Sequence, residues 1–310
     1  MGRLRNLISS NPAIRKIFKP VQKLRHFLGA SERELLLEQN RFILYELRRI
    51  NEAIRYQLLG DKSESLAQSD VLQTRASFDY QWQDIPGGIS MADDKGFMNR
   101  IETSICEMTG LPSEWFSGKQ VVDVGCGGGR FTYGLLSLGA FVTACDQSAW
   151  ALERTTQVCA EFGDKLSTRR INLLEWDDIA AYDLAFCFGV VHHTGNSYLA
   201  IRNVACKVKS EGKLFLMVYG FPETLSDYRE VNSYETLRKE LRGLPFEEKK
   251  KTLVGRFGPV LAHGWFDAIS PRVNDLLTFE ESAELLARLG FKNIKRTMQG
   301  RNHHIVADKL

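Results

Sequence analysis

Hydrophobic and polar positions change their rhythm along the chain, and the changes mark elements. From Gly118 onward, short apolar runs alternate with helical stretches in the βαβ manner. The runs predict strands at Gln120–Val124, Phe141–Asp146, Lys165–Asn172, Ala185–Phe188, Lys213–Tyr219, Lys292–Arg296 and His304–Ala307. That βαβ alternation argues for a mainly parallel sheet covered on both faces. The expected fold class is therefore α/β, Rossmann-like, with seven strands, helices on both faces and an N-terminal helical extension. Upstream, the pattern is helical over Lys95–Met108. Before that comes an aromatic stretch, Phe78-Asp79-Tyr80-Gln81-Trp82.

The first 74 residues read differently. Residues 1–30 space Leu4, Leu7, Ile8, Ile14, Ile17, Phe18 and Val21 near the helical period, interrupted by Pro12 and Pro20. Ser31-Glu32-Arg33-Glu34 forms a capping box that opens a helix free of Gly and Pro to Leu59. Within it Leu36, Asn40, Ile43, Leu47, Ile50 and Ile54 follow the coiled-coil seam. Two readings of residues 31–59 stay open: a homodimer zipper, or a helix laid on its own catalytic domain. Residues 60–74 are polar and read as a linker. The domain plan is a basic leader at 1–30, helix and linker at 31–74, and a catalytic domain at 75–310 with a lid insertion at 221–277.

Charge sharpens that plan. Residues 1–30 hold seven of the 41 Lys and Arg and no acid, so 34 basic groups face the 38 acids of the remainder. A basic amphipathic leader suits peripheral contact with an anionic membrane surface, or a solvated extension. The mildly acidic body disfavours nucleic acid as substrate. No apolar run approaches the roughly 18 residues of a membrane span, and no secretory signal is evident. Six scattered cysteines without a C-x-x-C pair suit free thiols in a reducing cytoplasm. The His pairs 192/193 and 303/304 lack chelate spacing, so no metal site is expected.

The chemistry concentrates at Val121-Val122-Asp123-Val124-Gly125-Cys126-Gly127-Gly128-Gly129-Arg130-Phe131. An apolar strand ends in an acid, turns through glycines spaced G-x-G-x-G, and enters a helix. A dinucleotide fingerprint would need glycine at Arg130; here the third glycine stands one place earlier. With Asp146 closing the next strand, the arrangement resembles motif I and the ribose-binding acid of class I S-adenosylmethionine-dependent methyltransferases, in their small-molecule branch. The resemblance continues through Tyr182-Asp183-Leu184-Ala185-Phe186-Cys187-Phe188-Gly189-Val190-Val191-His192-His193, through Glu211-Gly212 and the fifth strand, and through Thr278-Phe279-Glu280-Glu281 to Gly290-Phe291. It covers about residues 119–220 and 278–307 and departs from the family at Asn172, where an Asp is common.

The resemblance implies S-adenosylmethionine as cofactor, held by Asp123, Gly125, Cys126, Gly127, Gly129, Asp146, Gln147, Asn172 and Gly189. Its expected activity is methyl transfer, most simply to oxygen of a small molecule, a saccharide or a lipid-linked glycan. A C-methyltransferase on a quinone-like or polyketide-like ring and a non-catalytic cofactor-binding scaffold are the alternatives. A hydroxyl acceptor must lose a proton, and His192 or His193, at the carboxyl end of the fourth strand, is the candidate base. On an extended segment the two would point opposite ways. Candidate substrate-binding residues are Trp82, Tyr219 at the end of the fifth strand, and Trp265 and Arg272 in the cluster His263–Arg272 of the insertion, with Arg272 as an anion anchor.

Overall fold

The structure, a computed structural model, describes residues 68–85, 95–177 and 182–310. The basic leader, the Ser31 helix with its zipper seam and most of the expected linker lie outside the described residues. The rest of that linker is helical: helix α1 spans residues 68–84. It starts inside the stretch read as linker because Thr74, Ser77 and Gln81 are buried along one of its faces, and that contact outweighs the polar composition. Helix α2 is Lys95–Thr109.

The strands are β1 (Gln120–Val124), β2 (Phe141–Asp146), β3 (Leu166–Arg170), β4 (Tyr182–Phe188), β5 (Val208–Val218), β6 (Phe291–Arg296) and β7 (His303–Lys309). They form one seven-stranded sheet in the order β3-β2-β1-β4-β5-β7-β6, parallel except for β7, which runs antiparallel to both β5 and β6. Interleaved helices are α3 (Arg130–Ser137), α4 (Ala149–Val158), α5 (Ser197–Ala205), α6 (Leu225–Glu240), α7 (Phe246–Ile269) and α8 (Phe279–Arg288). This is the Rossmann-like α/β fold. β5 starts earlier than its apolar run because Val208 pairs with Tyr182 ahead of a register shift.

Alternation along the strands splits the interior into two layers. Val122, Val124, Ala185, Cys187, Leu214 and Leu216 face Ile201 and Val204 of α5 and Leu286 of α8. Val121, Leu184, Phe186, Phe215 and Met217 face Ile101 and Ile105 of α2 and Leu135 of α3. The central strands are thus buried on both faces, which is why they read as apolar runs, while the edge strands β3 and β6 are largely exposed. A third cluster, Leu237, Leu241, Leu253, Ala262, Phe266 and Ile269 with Ile85, joins α6 and α7 to the end of α1. α7 is broken at Gly258 (φ 80°) ahead of Pro259.

Parallel order reverses between β1 and β4, so the loops leaving their carboxyl ends part in opposite directions and open a crevice. Among the described residues, no helix is long and apolar enough to cross a membrane.

Candidate functional site

At that crevice the chain encloses a cavity of about 550 Å³. Its first wall is the loop after β1. The Gly125 and Cys126 N–H groups both donate to Cys145 O, at 2.7 and 3.1 Å, which draws the turn against the end of β2. Gly127 has φ 52°, and a Cβ there would stand 3.0 Å from the Trp82 ring. Only glycine lets α1 lie this close over the loop.

Asp146 ends β2 and lines the cavity. Its Oδ2 accepts from the Gly127 N–H at 3.0 Å and its Oδ1 from the Ser148 N–H at 2.9 Å. The Gln147 backbone also acts on the carboxylate, and of its roughly four acceptor sites it keeps capacity to accept from a ligand hydroxyl. Burial raises its pKa while the backbone donors resist that shift. Further along, Asn172 Oδ1 accepts from Leu174 N–H at 3.2 Å and from Arg75 Nη2 at 3.3 Å. Gly125, Gln147 and Gly189 complete this wall. A nucleoside with two adjacent hydroxyls fits such a set: a carboxylate with spare acceptors, a close-approach glycine turn, and an amide at the far end.

The second wall comes from the ends of β4 and β5 and from the insertion. Val191–His193 forms a 3₁₀ turn, not the extended segment expected from sequence, and the two imidazoles pack against each other at a tilt of 51° with centroids 4.2 Å apart. His193 lines the cavity; its Nδ1 lies 2.9 Å from Val273 O. A carbonyl only accepts, so Nδ1 carries the proton and Nε2 carries a lone pair. Nε2 has no hydrogen-bond partner. Burial lowers the His193 pKa against the pull of Asp267 and Asp275, which keeps the ring neutral at neutral pH. Tyr219 OH donates to Asp267 Oδ2 at 2.7 Å, tying β5 to α7 across the cavity. Burial, then the Asp267 carboxylate, pushes the Tyr219 pKa well up.

Six residues expected at the site stand elsewhere. His192 does not line the cavity; it is fully buried between His193 and Tyr219. Burial holds its pKa well below the ordinary histidine value. Asp123 lies beneath the loop, accepting from Thr132 Oγ1 at 2.6 Å, and burial raises its pKa to about 7. Cys126 is buried against Thr155, and Gly129 is the left-handed N-cap of α3; both shape the turn from behind. Trp265 stacks on Phe257 at 4.2 Å inside the lid core. Arg272 points outward to Asp70 at 3.1 Å, while its backbone N–H donates to Gln73 and Thr74. The charge makes Arg272 an outside clasp between the insertion and α1, not an anchor within the cavity.

Conversely, Arg130, Asp79, Gln81, His263 and Asp267 line the cavity; the last four fall in the aromatic stretch and the insertion cluster marked from sequence, though none of the five is among the individual site residues expected there. For Arg130 there was a signal: a cation opening a helix stands against the helix dipole and asks for a local reason. Its guanidinium packs over Phe131 and Phe188 at 4.5 and 5.5 Å, and the Asp267 and Asp123 carboxylates are counter-charges that act on it.

Residues 122–214 match the family model described as a methyltransferase domain. The ubiquinone biosynthesis O-methyltransferase of Rickettsia akari is 29% identical over 113 residues, covering 36% of this chain and 45% of that protein. Its counterpart from Dechloromonas aromatica is 34% identical over 102 residues, covering 32% and 44%. The chain thus spans less than half the length of either relative. Among solved structures, the magnesium protoporphyrin IX methyltransferase of Synechocystis PCC 6803 with bound S-adenosylmethionine aligns with a TM-score of 0.47 at 15% identity, over 77% of this chain and 97% of that one.

Proposed function

We propose that the chain, whose residues 122–214 match a methyltransferase domain, is an S-adenosylmethionine-dependent methyltransferase of class I that transfers a methyl group from that cofactor to a hydroxyl of a small, ring-shaped acceptor. The observation that carries the hydroxyl reading is the His193 imidazole, which lines the cavity, is neutral by burial, is fixed by Val273 O and leaves its Nε2 unpartnered. Phe78, Trp82, Phe188 and Tyr219 line the same cavity and offer flat apolar faces to a planar acceptor. The two relatives, named as O-methyltransferases of ubiquinone biosynthesis, favour a small molecule over a saccharide.

Gly125, Gly127, Asp146, Gln147, Asn172 and Gly189 hold the cofactor in this reading, with Asp146 taking the ribose hydroxyls. When bound, S-adenosylmethionine supplies a methyl carbon on a positively charged sulfur, which departs as a neutral thioether. The chain's own work is to hold the acceptor oxygen in line with that carbon and to keep water out. As the acceptor oxygen forms its bond to carbon, its proton passes to His193 Nε2. Burial disfavours the imidazolium that results, so the proton is then released to solvent. Asp123, Cys126 and Gly129 act from behind the loop by fixing its shape, and Tyr219 with Asp267 closes the acceptor side.

Incubating the full chain with methyl-labelled S-adenosylmethionine and extracts depleted of small-molecule methylation tests this reading. Label on an ether oxygen is the expected product. Label on carbon would replace it with C-methylation, and calorimetric binding of the demethylated cofactor without any label transfer would leave a binding scaffold. A peripheral membrane role for residues 1–30 and dimerisation through residues 31–59 remain proposals. Flotation with anionic vesicles and light scattering, each comparing the full chain with one starting at residue 65, test them.

A further inference from the structure

Gln81 sits on α1, is 1% exposed and lines the cavity. Its Nε2 lies 3.1 Å from the carbonyl oxygen of His263 and 3.1 Å from His263 Nε2. Because a carbonyl can only accept, the amide nitrogen must occupy that side, and its second hydrogen makes His263 Nε2 an acceptor. The orientation of the amide is thereby settled, and Oε1 is left with no hydrogen-bond partner. A stranded, buried acceptor is unfavourable, and methionine would fill the same space without one.

We propose that Gln81 binds ligand: its Oε1 accepts a hydrogen bond from an N–H or O–H group of a molecule held in the cavity. Its position lies between the two walls. Trp82, the next residue, packs on the loop at Gly127. His263 is one helical turn before Asp267, the partner of Tyr219. The donor chemistry therefore has two sources, the ammonium of the cofactor's methionine portion and a second hydroxyl or amine on the acceptor. Both rest on the methyltransferase reading.

The experiment compares the wild-type chain with Gln81→Met and Gln81→Glu. Calorimetry measures S-adenosylhomocysteine, which has the ammonium, against 5′-methylthioadenosine, which keeps the nucleoside and lacks it. Initial rates measure methylation of catechol against phenol. Loss of the hydrogen bond in Gln81→Met should reduce the preference for the donor-bearing probe about tenfold in one of the two comparisons. Gln81→Glu keeps an acceptor but loses the donor to His263, so it retains the preference if the oxygen is what matters. A merely structural Gln81 would weaken both members of each pair alike, and Gln81→Glu would behave as Gln81→Met. Unchanged ratios in both comparisons, or in the nucleoside comparison alone if neither ring is methylated, overturn the assignment. Should the wild-type chain bind neither nucleoside, the methyltransferase reading itself falls, which is a different result from binding both with unaltered preference.

Discussion

Two adjacent histidines of the same type end in different chemical positions, and their hydrogen bonds explain why. His193 spends Nδ1–H on Val273 O, so its remaining nitrogen can take a proton, whereas His192 has neither nitrogen partnered and lies off the cavity. His193→Ala should lower kcat by about 10²–10⁴, with S-adenosylhomocysteine affinity changed little. His192→Phe keeps a ring packed against His193 and Tyr219 and should keep most of the activity. Steady-state kinetics on both variants checks the division, and equal losses would contradict it. The pH profile follows the same logic. Because burial moves the His193 pKa below its ordinary 6.5, the ring is unprotonated at neutral pH, and kcat should be level there and fall only on the acid side of that value. Asp123 has the opposite sign. Its pKa rises from 3.8 to about 7, so the folded chain binds a proton more tightly than the unfolded chain. That contribution is fully present below pH 3.8 and is lost as pH rises through about 7. Asp123→Asn retains an oxygen for Thr132 and should remove this decline, by an amount on the order of a few kcal/mol. Denaturant melts of both proteins at pH 5 and pH 8 measure it.

At the scale of elements, the loop after β1 works because its backbone can bend where side chains could not follow. Gly127→Ala combines a left-handed φ of 52° with a Cβ set 3.0 Å from Trp82. It should displace α1 from the loop, weaken nucleoside binding at least tenfold and change Trp fluorescence, while the sheet stays folded by far-ultraviolet circular dichroism. The middle of the sheet was legible in the sequence because its central strands are buried on both faces, leaving runs such as Leu214-Phe215-Leu216-Met217-Val218 with no polar break, whereas the edge strands β3 and β6 are largely exposed and polar. The first wall of the cavity was legible for a related reason, since glycine spacing and a strand-ending acid are imposed by the backbone itself. The insertion was less so. Reading His263–Arg272 as one cluster placed Trp265 and Arg272 beside His263 and Asp267, but α7 sorts neighbours by rotation. Val260, His263, Gly264 and Asp267 follow steps of three, one and three and share the cavity face, while Ala262, Phe266 and Ile269 turn to the lid core. Arg272 falls beyond the helix, where chain direction and not helical period decides its contact. Similarly, the 3₁₀ turn at Val191–His193 is set by packing against Tyr219 and Phe78, which are distant in sequence.

Across the described molecule, the two sheet cores and the lid core are separate clusters, and the cavity takes walls from both kinds. The nucleoside-facing wall is built on strand ends, whose shape depends on the sheet. The acceptor-facing wall includes α7, whose packing depends on Phe266, fully buried against Tyr80 and Phe246. Stability and function should therefore come apart when the lid alone is weakened. Phe266→Ala removes an aromatic ring from that cluster, a change that typically costs about 3–5 kcal/mol. Because the lid shares few apolar neighbours with the sheet, the loss should appear as local opening and not as global unfolding. Limited proteolysis should cut Phe266→Ala between residues 221 and 277 much faster than the wild type. Asp146 and the glycine turn would stay in place, so S-adenosylhomocysteine should still bind within about tenfold. Methyl transfer should fall further than binding, since Asp267 and His263 leave the acceptor wall when α7 loosens. If cleavage instead spreads evenly along the chain and nucleoside binding disappears with it, lid and sheet form one cooperative unit, and the acceptor wall cannot vary independently of the cofactor wall.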